Sequence, residues 1–316
     1  MATTQNITTS YAGEKAAGYL SAALLSGNSL DSGNIQIKPN IKFKEVLKRV
    51  SLDDIIKDGT CDFTATSTIT LTERILQPEE LQVNLQICKA DYRSDWDAAE
   101  MGFSAFDEIP KSFADFLIGH IAAKVASKME TNVWSGVTAT AGEFDGYETL
   151  LTVDADLPAD QEVTGTTVTA ANVVVELGKI VDAIPTRLYG VDGGILYVAQ
   201  NIYRAYVRSL GGFGSSGLGA AGVNAQGNNQ GLGDLMFDGV PLFVANGMTD
   251  NVAIYTLKDN LMFGTGLMSD QNEVKVLDMA DLDGSQNVRV IMRFTAGVNY
   301  AFSEDVVTYG IVNGAN

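Results

Sequence analysis

Phe113, Leu117, Ile121, Val125, Met129 and Val133 recur at every fourth position of a stretch that ends at Gly136. No other segment constrains the fold of this 316-residue chain so tightly. Ser112-Phe113-Ala114-Asp115 opens it in the manner of a capping box, and Gly136 suits the position just past a helix end. The spacing therefore predicts a helix from Phe113 to about Ser135. At ~1.5 Å per residue it reaches on the order of 34 Å. Each step of four overshoots a full turn by about 40°, so the apolar stripe winds around the rod. Its two ends must pack on different partners. Such a rod crosses a whole domain; it does not close a bundle.

Around it the signals are mixed. Residues 1–40 are rich in Thr, Ser, Gly and Asn and read as an extended arm, with one short helix near Ala16–Leu25. From Cys61 to Cys88 the pattern predicts a β-hairpin. Leu81, Val83, Leu85 and Ile87 alternate with polar residues, Thr66–Thr72 supplies a partner strand, and Gln77-Pro78-Glu79-Glu80 is the turn. Cys88 then pairs near Ile69. A second helix follows Thr169, with Val173, Val174, Leu177, Ile180, Val181 and Ile184 on one face and Pro185 as its stop. Ile195–Ala199 reads as a buried strand, and Ile202, Tyr203, Tyr206, Val207 and Leu210 mark a third helix. Further strands are expected at Met236–Val244, Ala253–Leu257, Glu273–Leu277, Val288–Phe294, Gly297–Phe302 and Val306–Val312. The fold class is α+β with mostly antiparallel sheet.

Charge narrows the function. The chain carries 21 bases against 39 acids, net −18. That balance opposes tight duplex binding, which rests on cations that neutralise phosphates. Residues 1–60 hold seven bases and six acids, so the acidity lies beyond them. Within 38–57, Lys38, Lys42, Lys44, Lys48, Arg49 and Lys57 outnumber Glu45, Asp53 and Asp54. This segment is either a solvated amphipathic helix around Ile41–Val50 or a basic arm that docks on the acidic surface of a neighbouring copy. Residues 211–233 hold nine glycines and no charge. Crowding of identical copies around an axis tolerates such a loop, which makes Ser216 and Ala220 candidate interface positions.

No constellation carries a reaction. His120 is the only histidine and sits inside the long helix without a G-x-S-x-G nucleophile to serve. Gly212–Gly217 and Gly217–Gly222 match G-x-G-x-x-G, but a helix precedes them where a strand is required. Asp278, Asp281, Asp283 and Gly284 resemble part of a calcium loop, yet Met279 and Val290 occupy its first and last ligand positions. An acidic turn between strands fits better. One histidine and two cysteines exclude most His/Cys metal sites and any disulfide scaffold. No cofactor is expected. Neither a secretory leader nor a membrane span is expected, which points to synthesis in a cytoplasm.

The order of parts resembles the major capsid proteins of tailed bacteriophages, the Hong Kong 97 (HK-97) type. Ser112–Gly136, SFADFLIGHIAAKVASKMETNVWSG, is similar to the family's spine helix. TAANVVVELGKIVDAIP (Thr169–Pro185) and LYVAQNIYRAYVRSLGG (Leu196–Gly212) look like the start of its axial domain. FDGVPLFVANGM (Phe237–Met248), LKDNLMFGTGL (Leu257–Leu267) and RFTAGVNYAFSEDVVTYG (Arg293–Gly310) look like its closing strands. The resemblance implies an arm over 1–40, an extended β-hairpin loop within 41–108, and the spine helix and peripheral domain over 109–168. It further implies an axial domain over 169–285 and return strands over 286–316.

By function it implies a structural protein, not an enzyme, that self-assembles as pentamers and hexamers into an icosahedral shell around double-stranded DNA. Separate scaffolding, portal and decoration proteins, a virion location, and only weak contact with the DNA belong to the same picture. The suspected subunit interface is Lys42, Lys44, Lys48, Arg49, Ser216 and Ala220. The alternatives are an encapsulin-like nanocompartment shell, a phage tail or baseplate protein and, more remotely, a carboxylate-based hydrolase.

Overall fold

The computed structural model describes residues 28–52, 56–59, 61, 69–88, 111–210, 235–266 and 274–314. Within them six α-helical segments occur: α1 (Asn28–Asp31), α2 (Lys111–Ser135), α3 (Tyr147–Thr152), α4 (Val173–Asp182), α5 (Gln200–Ser209) and α6 (Ala280–Asp283). The strands of the first third are β1 (Gln36–Lys38), β2 (Glu45–Leu52), β3 (Ile69–Leu76) and β4 (Glu79–Cys88). Those of the middle are β5 (Glu162–Val163), β6 (Gly194–Val198), β7 (Met236–Phe237), β8 (Val240–Val244), β9 (Ala253–Leu257) and β10 (Leu261–Thr265). The last are β11 (Val274–Asp278), β12 (Asn287–Tyr300) and β13 (Val306–Tyr309). The α+β class and the mainly antiparallel pairing are as expected; β1–β10, β5–β13 and β6–β8 run parallel.

One sheet has the order β5-β13-β9-β6-β8-β7 and is covered on both faces. Strand side chains alternate, so β6 sends Leu196 and Val198 to one side and Ile195 and Tyr197 to the other. Val173, Leu177 and Ile180 of α4 and Ile202, Tyr203 and Tyr206 of α5 fill the first side. Val174, expected on that buried face, points to solvent instead. Asp238 and Gly239 close the β7–β8 hairpin with φ of +47° and +80°, the left-handed pair that a two-residue turn demands. Met236–Val244 is thus two strands, not one.

The second sheet is built on β12, which pairs with β10, β11 and the whole of β4. Its length corrects the sequence reading, which broke it between Phe294 and Gly297. Glycine is needed there for a packing reason: a Cβ would lie 2.9 Å from the Gln77 carbonyl oxygen. Ile121, Val125, Met129 and Val133 of α2 share one core with Val290, Met292 and Phe294 of β12 and with Tyr197 and Ile254 of the first sheet. The helix therefore joins the two sheets. Its buried face is wider than the expected stripe, because Ala122, Ala126 and Glu130 lie in it as well. The helix ends where expected. A Cβ on Gly136 would strike the Phe144 and Asn132 carbonyl oxygens.

Two further expectations fail. The Cys61–Cys88 hairpin does not form: β3 pairs with β2, placing Ile69 opposite Leu52, while β4 pairs with β12, placing Cys88 opposite Asn287. Gln77 and Pro78 carry the chain from one sheet to the other, and Pro78 has no N–H with which to close a tight hairpin. The amphipathic helix around Ile41–Val50 is also absent, since Glu45–Leu52 is strand β2. The acidic turn at Asp278–Gly284 does lie between strands, but it includes a helical turn, α6, ended by Gly284 in the left-handed region. The helix near Ala16–Leu25 and the glycine-rich segment 211–233 lie outside the described residues.

Candidate assembly surfaces

Strands β2 and β3 form a two-stranded sheet of their own. Their register sets Val46 opposite Ile75, Lys48 opposite Glu73 and Val50 opposite Leu71. These residues share one face, and its apolar members are open to solvent: Val50 is 59 % exposed, Ile69 63 % and Leu71 69 %. Phe43, at 71 %, adds to them beside the root. A two-stranded ribbon is marginal in water by itself. This one carries an apolar face that no described part of its own subunit covers.

The ribbon is held firmly at its base. Leu76 is fully buried with Ile41 and Met262 in a small separate core. Arg74, one step along the same face, donates from Nη2 to Asp154 Oδ2 at 2.6 Å and stacks over the Tyr300 ring at 4.5 Å. The Tyr300 hydroxyl donates to the same Asp154 oxygen at 2.5 Å. Burial, then the hydrogen bond to Asp154, pushes the Tyr300 pKa well up. Burial works against the Arg74 charge, but Tyr300 and Asp154 outweigh it and raise the guanidinium pKa. Lys38 Nζ bridges to Glu45 Oε1 at 2.7 Å, and Asn299 Nδ2 donates to the Ile75 carbonyl at 2.8 Å. One face of the ribbon grips the body at the root; the other faces away.

A second anchor holds Ser29, inside the segment 1–40 that the sequence reads as an extended arm. The Ser29 hydroxyl donates to Glu130 Oε1 at 2.5 Å, and its backbone N–H donates to Oε2 at 3.2 Å. Trp134 Nε1 donates to Ser29 Oγ at 2.7 Å, with all three residues buried. This explains a glutamate on the buried face of α2, which its sequence position alone does not. Trp134 in turn lies between Tyr147 and Tyr197, at centroid distances of 5.4 and 5.2 Å.

Of the expected interface residues, Lys42, Lys44 and Lys48 are exposed at the root and on the open face of the ribbon. Arg49 lies in β2 opposite Thr72. Ser216 and Ala220 lie outside the described residues. Sequence reasoning missed the open apolar face because it paired β3 with the wrong strand. The signal available was the alternation of Val46, Lys48 and Val50 against Leu71, Glu73 and Ile75. His120 is exposed on α2. Among the described residues no group of three or more His, Cys, Asp or Glu side chains is placed to hold a metal ion, and no helix is long and apolar enough to cross a membrane.

No family model and no curated protein matches the chain. Solved structures do. The capsid of a native GTA particle aligns over 98 % of this chain and 94 % of its own, at 14 % identity and a TM-score of 0.57. The capsid of cyanophage P-SCSP1u aligns over 89 % and 87 %, at 12 % identity and a TM-score of 0.54. A chain of Mycobacterium phage Adephagia aligns over 91 % and 89 %, at 16 % identity and 0.53. At such identities the likeness is one of fold: the chain folds like chains found in the capsids of a GTA particle and of a cyanophage.

Proposed function

We propose that this chain is the major capsid subunit of a tailed bacteriophage, a structural protein and not an enzyme. The observation that carries the reading is the fold match to capsid subunits across nearly the full length of both partners. On this reading α2 is the spine helix of the HK-97 type and the β2–β3 ribbon is its extended loop, within 41–108. The arm spans 1–40, the peripheral domain lies with the spine over 109–168, the axial domain is 169–285, and 286–316 returns to the periphery. Many copies assemble as pentamers and hexamers into a closed shell in the virion. Scaffolding, portal and decoration proteins are its expected partners.

Assembly gives the ribbon what it lacks. A neighbouring copy supplies cover for Val46, Val50, Leu71 and Ile75, and its acidic surface complements Lys42, Lys44, Lys48 and Arg49. The uncharged loop with Ser216 and Ala220 fits at a local symmetry axis, where any charge would repel its own copies. The net charge of −18 suits a wall that contacts packaged DNA only weakly. Expression in a bacterial host followed by negative-stain microscopy tests the reading. Closed shells of several hundred ångströms are expected; a monodisperse monomer that never assembles with its scaffolding partner defeats it.

A further inference from the structure

The sequence holds two Asn-Gly pairs, Asn246-Gly247 and Asn313-Gly314. Such a pair carries a reaction of its own. A glycine nitrogen, with no side chain beside it, can reach the Cγ of the preceding asparagine and close a five-membered ring. Hydrogen bonds that hold either the amide or that nitrogen oppose the closure. The fold treats the two pairs in opposite ways. Asn313 is buried, and its Nδ2 donates to the Asp154 carbonyl at 2.7 Å and to Glu162 Oε1 at 3.0 Å. The Gly314 N–H donates to the Thr152 carbonyl at 2.9 Å. Both reacting groups of this pair are tied down.

Asn246 is exposed, in the turn Ala245–Met248 that follows β8. The Met248 N–H closes this turn on the Ala245 carbonyl at 3.2 Å, and asparagine suits its second position. Among the described residues neither the Asn246 side chain nor the Gly247 N–H makes a hydrogen bond. Packing enforces the glycine. A Cβ at Gly247 would strike the Glu130 carbonyl oxygen of α2, and neither turn residue takes a positive φ. The close approach to α2 thus keeps the least hindered nucleophile beside an amide that nothing restrains.

We propose that Asn246 is a site of spontaneous modification to aspartate and isoaspartate, and that the fold directs this chemistry to Asn246 and away from Asn313. The Gly247 nitrogen gives its proton to solvent base and bonds to Asn246 Cγ. The Cγ–Nδ2 bond breaks, and the amide leaves as ammonia. Water then opens the cyclic imide. Attack at Cγ restores the ordinary backbone with an aspartate; attack at the main-chain carbonyl gives isoaspartate, whose backbone is one methylene longer. Either product adds a negative charge. Isoaspartate also lengthens a turn whose ends, Ala245 and Met248, are fixed in the core shared with α2. The Gly247 carbonyl between them accepts from Ser135 Oγ of α2 at 3.0 Å. The contact between the six-stranded sheet and α2 therefore loosens as this product accumulates. The reaction needs no second copy and proceeds whether or not the chain forms shells.

Ageing the full chain in mildly alkaline buffer, followed by tandem mass spectrometry of its peptides, tests this. Asn246 is expected to convert at least about tenfold faster than Asn313, which must first give up its hydrogen bonds. In denaturant, where only sequence acts, the two pairs are expected to convert at like rates. Equal rates in the folded protein would show that packing on α2 shields the turn, and would overturn the proposal. A difference that persists in denaturant would overturn it too, because sequence neighbours would then be the cause. Asn246→Gln reads the consequence, since glutamine closes a larger ring far more slowly. The fresh variant should match the parent in denaturant midpoint, Asn246 being exposed and unbonded. On ageing, the parent's midpoint should fall while the variant's holds. An equal fall in both would overturn the loosening of the α2 contact.

Discussion

The body and the ribbon of this subunit solve the same problem in opposite ways. Around the described part of α2 the large side chains pack within their own chain: Trp134, Tyr147 and Tyr197 are fully buried and pack ring against ring. On the ribbon the apolar residues of one face meet one another across the strands and otherwise stand open. Both regions are rich in apolar side chains, so composition does not separate them. What separates them is the number of layers. The six-stranded sheet has helices on each face, whereas β2–β3 has a body on one face at its root and none on the other. Stability of the isolated subunit should therefore reside in the body, and assembly should depend on the ribbon.

The largest expected effect breaks the body. Trp134→Ala removes a buried ring and its hydrogen bond to Ser29 and should destabilise the subunit by about 3–5 kcal/mol, read by denaturant unfolding. A loss below about 1 kcal/mol would mean that the core around α2 is far looser than its packing. Next comes the junction between the regions. Arg74→Met leaves Asp154 without its ion-pair partner at a site that is partly open, so about 1–2 kcal/mol is expected. The same change should free the ribbon's angle to the body, seen as faster amide exchange in β3.

How much of this contrast was legible beforehand follows from how local each signal is. The ends of α2, α4 and α5 are set by neighbouring residues, and the spacing located them to within a few positions. The alternation within β4 was also local and correctly read. Its partner was not, because β12 lies some two hundred residues on in the chain and no turn links them. For the same reason β2 passed for a helix: Glu45–Leu52 fits either period, and only pairing with β3 decides. Of the site, the lysines were legible as charge, while the apolar face required the register. Glu130 was unreadable, since a buried carboxylate makes sense only once Ser29 is found beside it.

A smaller effect tests whether the body depends on pH. Glu176 lies on the buried face of α4, accepting from Lys179 at 2.9 Å and from the Tyr309 hydroxyl at 2.9 Å. The hydrogen bond from Lys179 holds its carboxyl below the ordinary value of 4.5 against the opposing pull of burial, with Tyr309 assisting. A depressed carboxyl pKa stabilises the folded state above the unfolded value, and that contribution is lost as pH falls through the folded value. Glu176→Gln should thus cost about 1 kcal/mol at neutral pH, given that Lys179 is half exposed. The gap between variant and parent should close progressively below pH 4.5. A gap that persists unchanged in acid would assign the effect to shape and not to charge.

The smallest expected effect on the subunit decides the comparison itself. Val50→Ser with Leu71→Ser alters a cross-strand pair on the open ribbon face, where both residues are more than half exposed. Surface changes away from packed groups stay within about 0.5 kcal/mol, so the isolated subunit should unfold almost as before. Shell yield, by contrast, should fall sharply if the proposed neighbour covers this face, because the pair lies within it. Reversing Lys42, Lys44 and Lys48 to glutamate should do the same at low salt. The parent should itself assemble less well as salt rises, since surface attraction beyond about 10 Å is screened at 0.1 M. Destabilisation of the isolated subunit by about 2 kcal/mol would show that the ribbon folds onto its own body. Unchanged shells would show that its apolar face meets no neighbour. Only the combination of a sound subunit and a failed shell makes the ribbon an element that assembly completes.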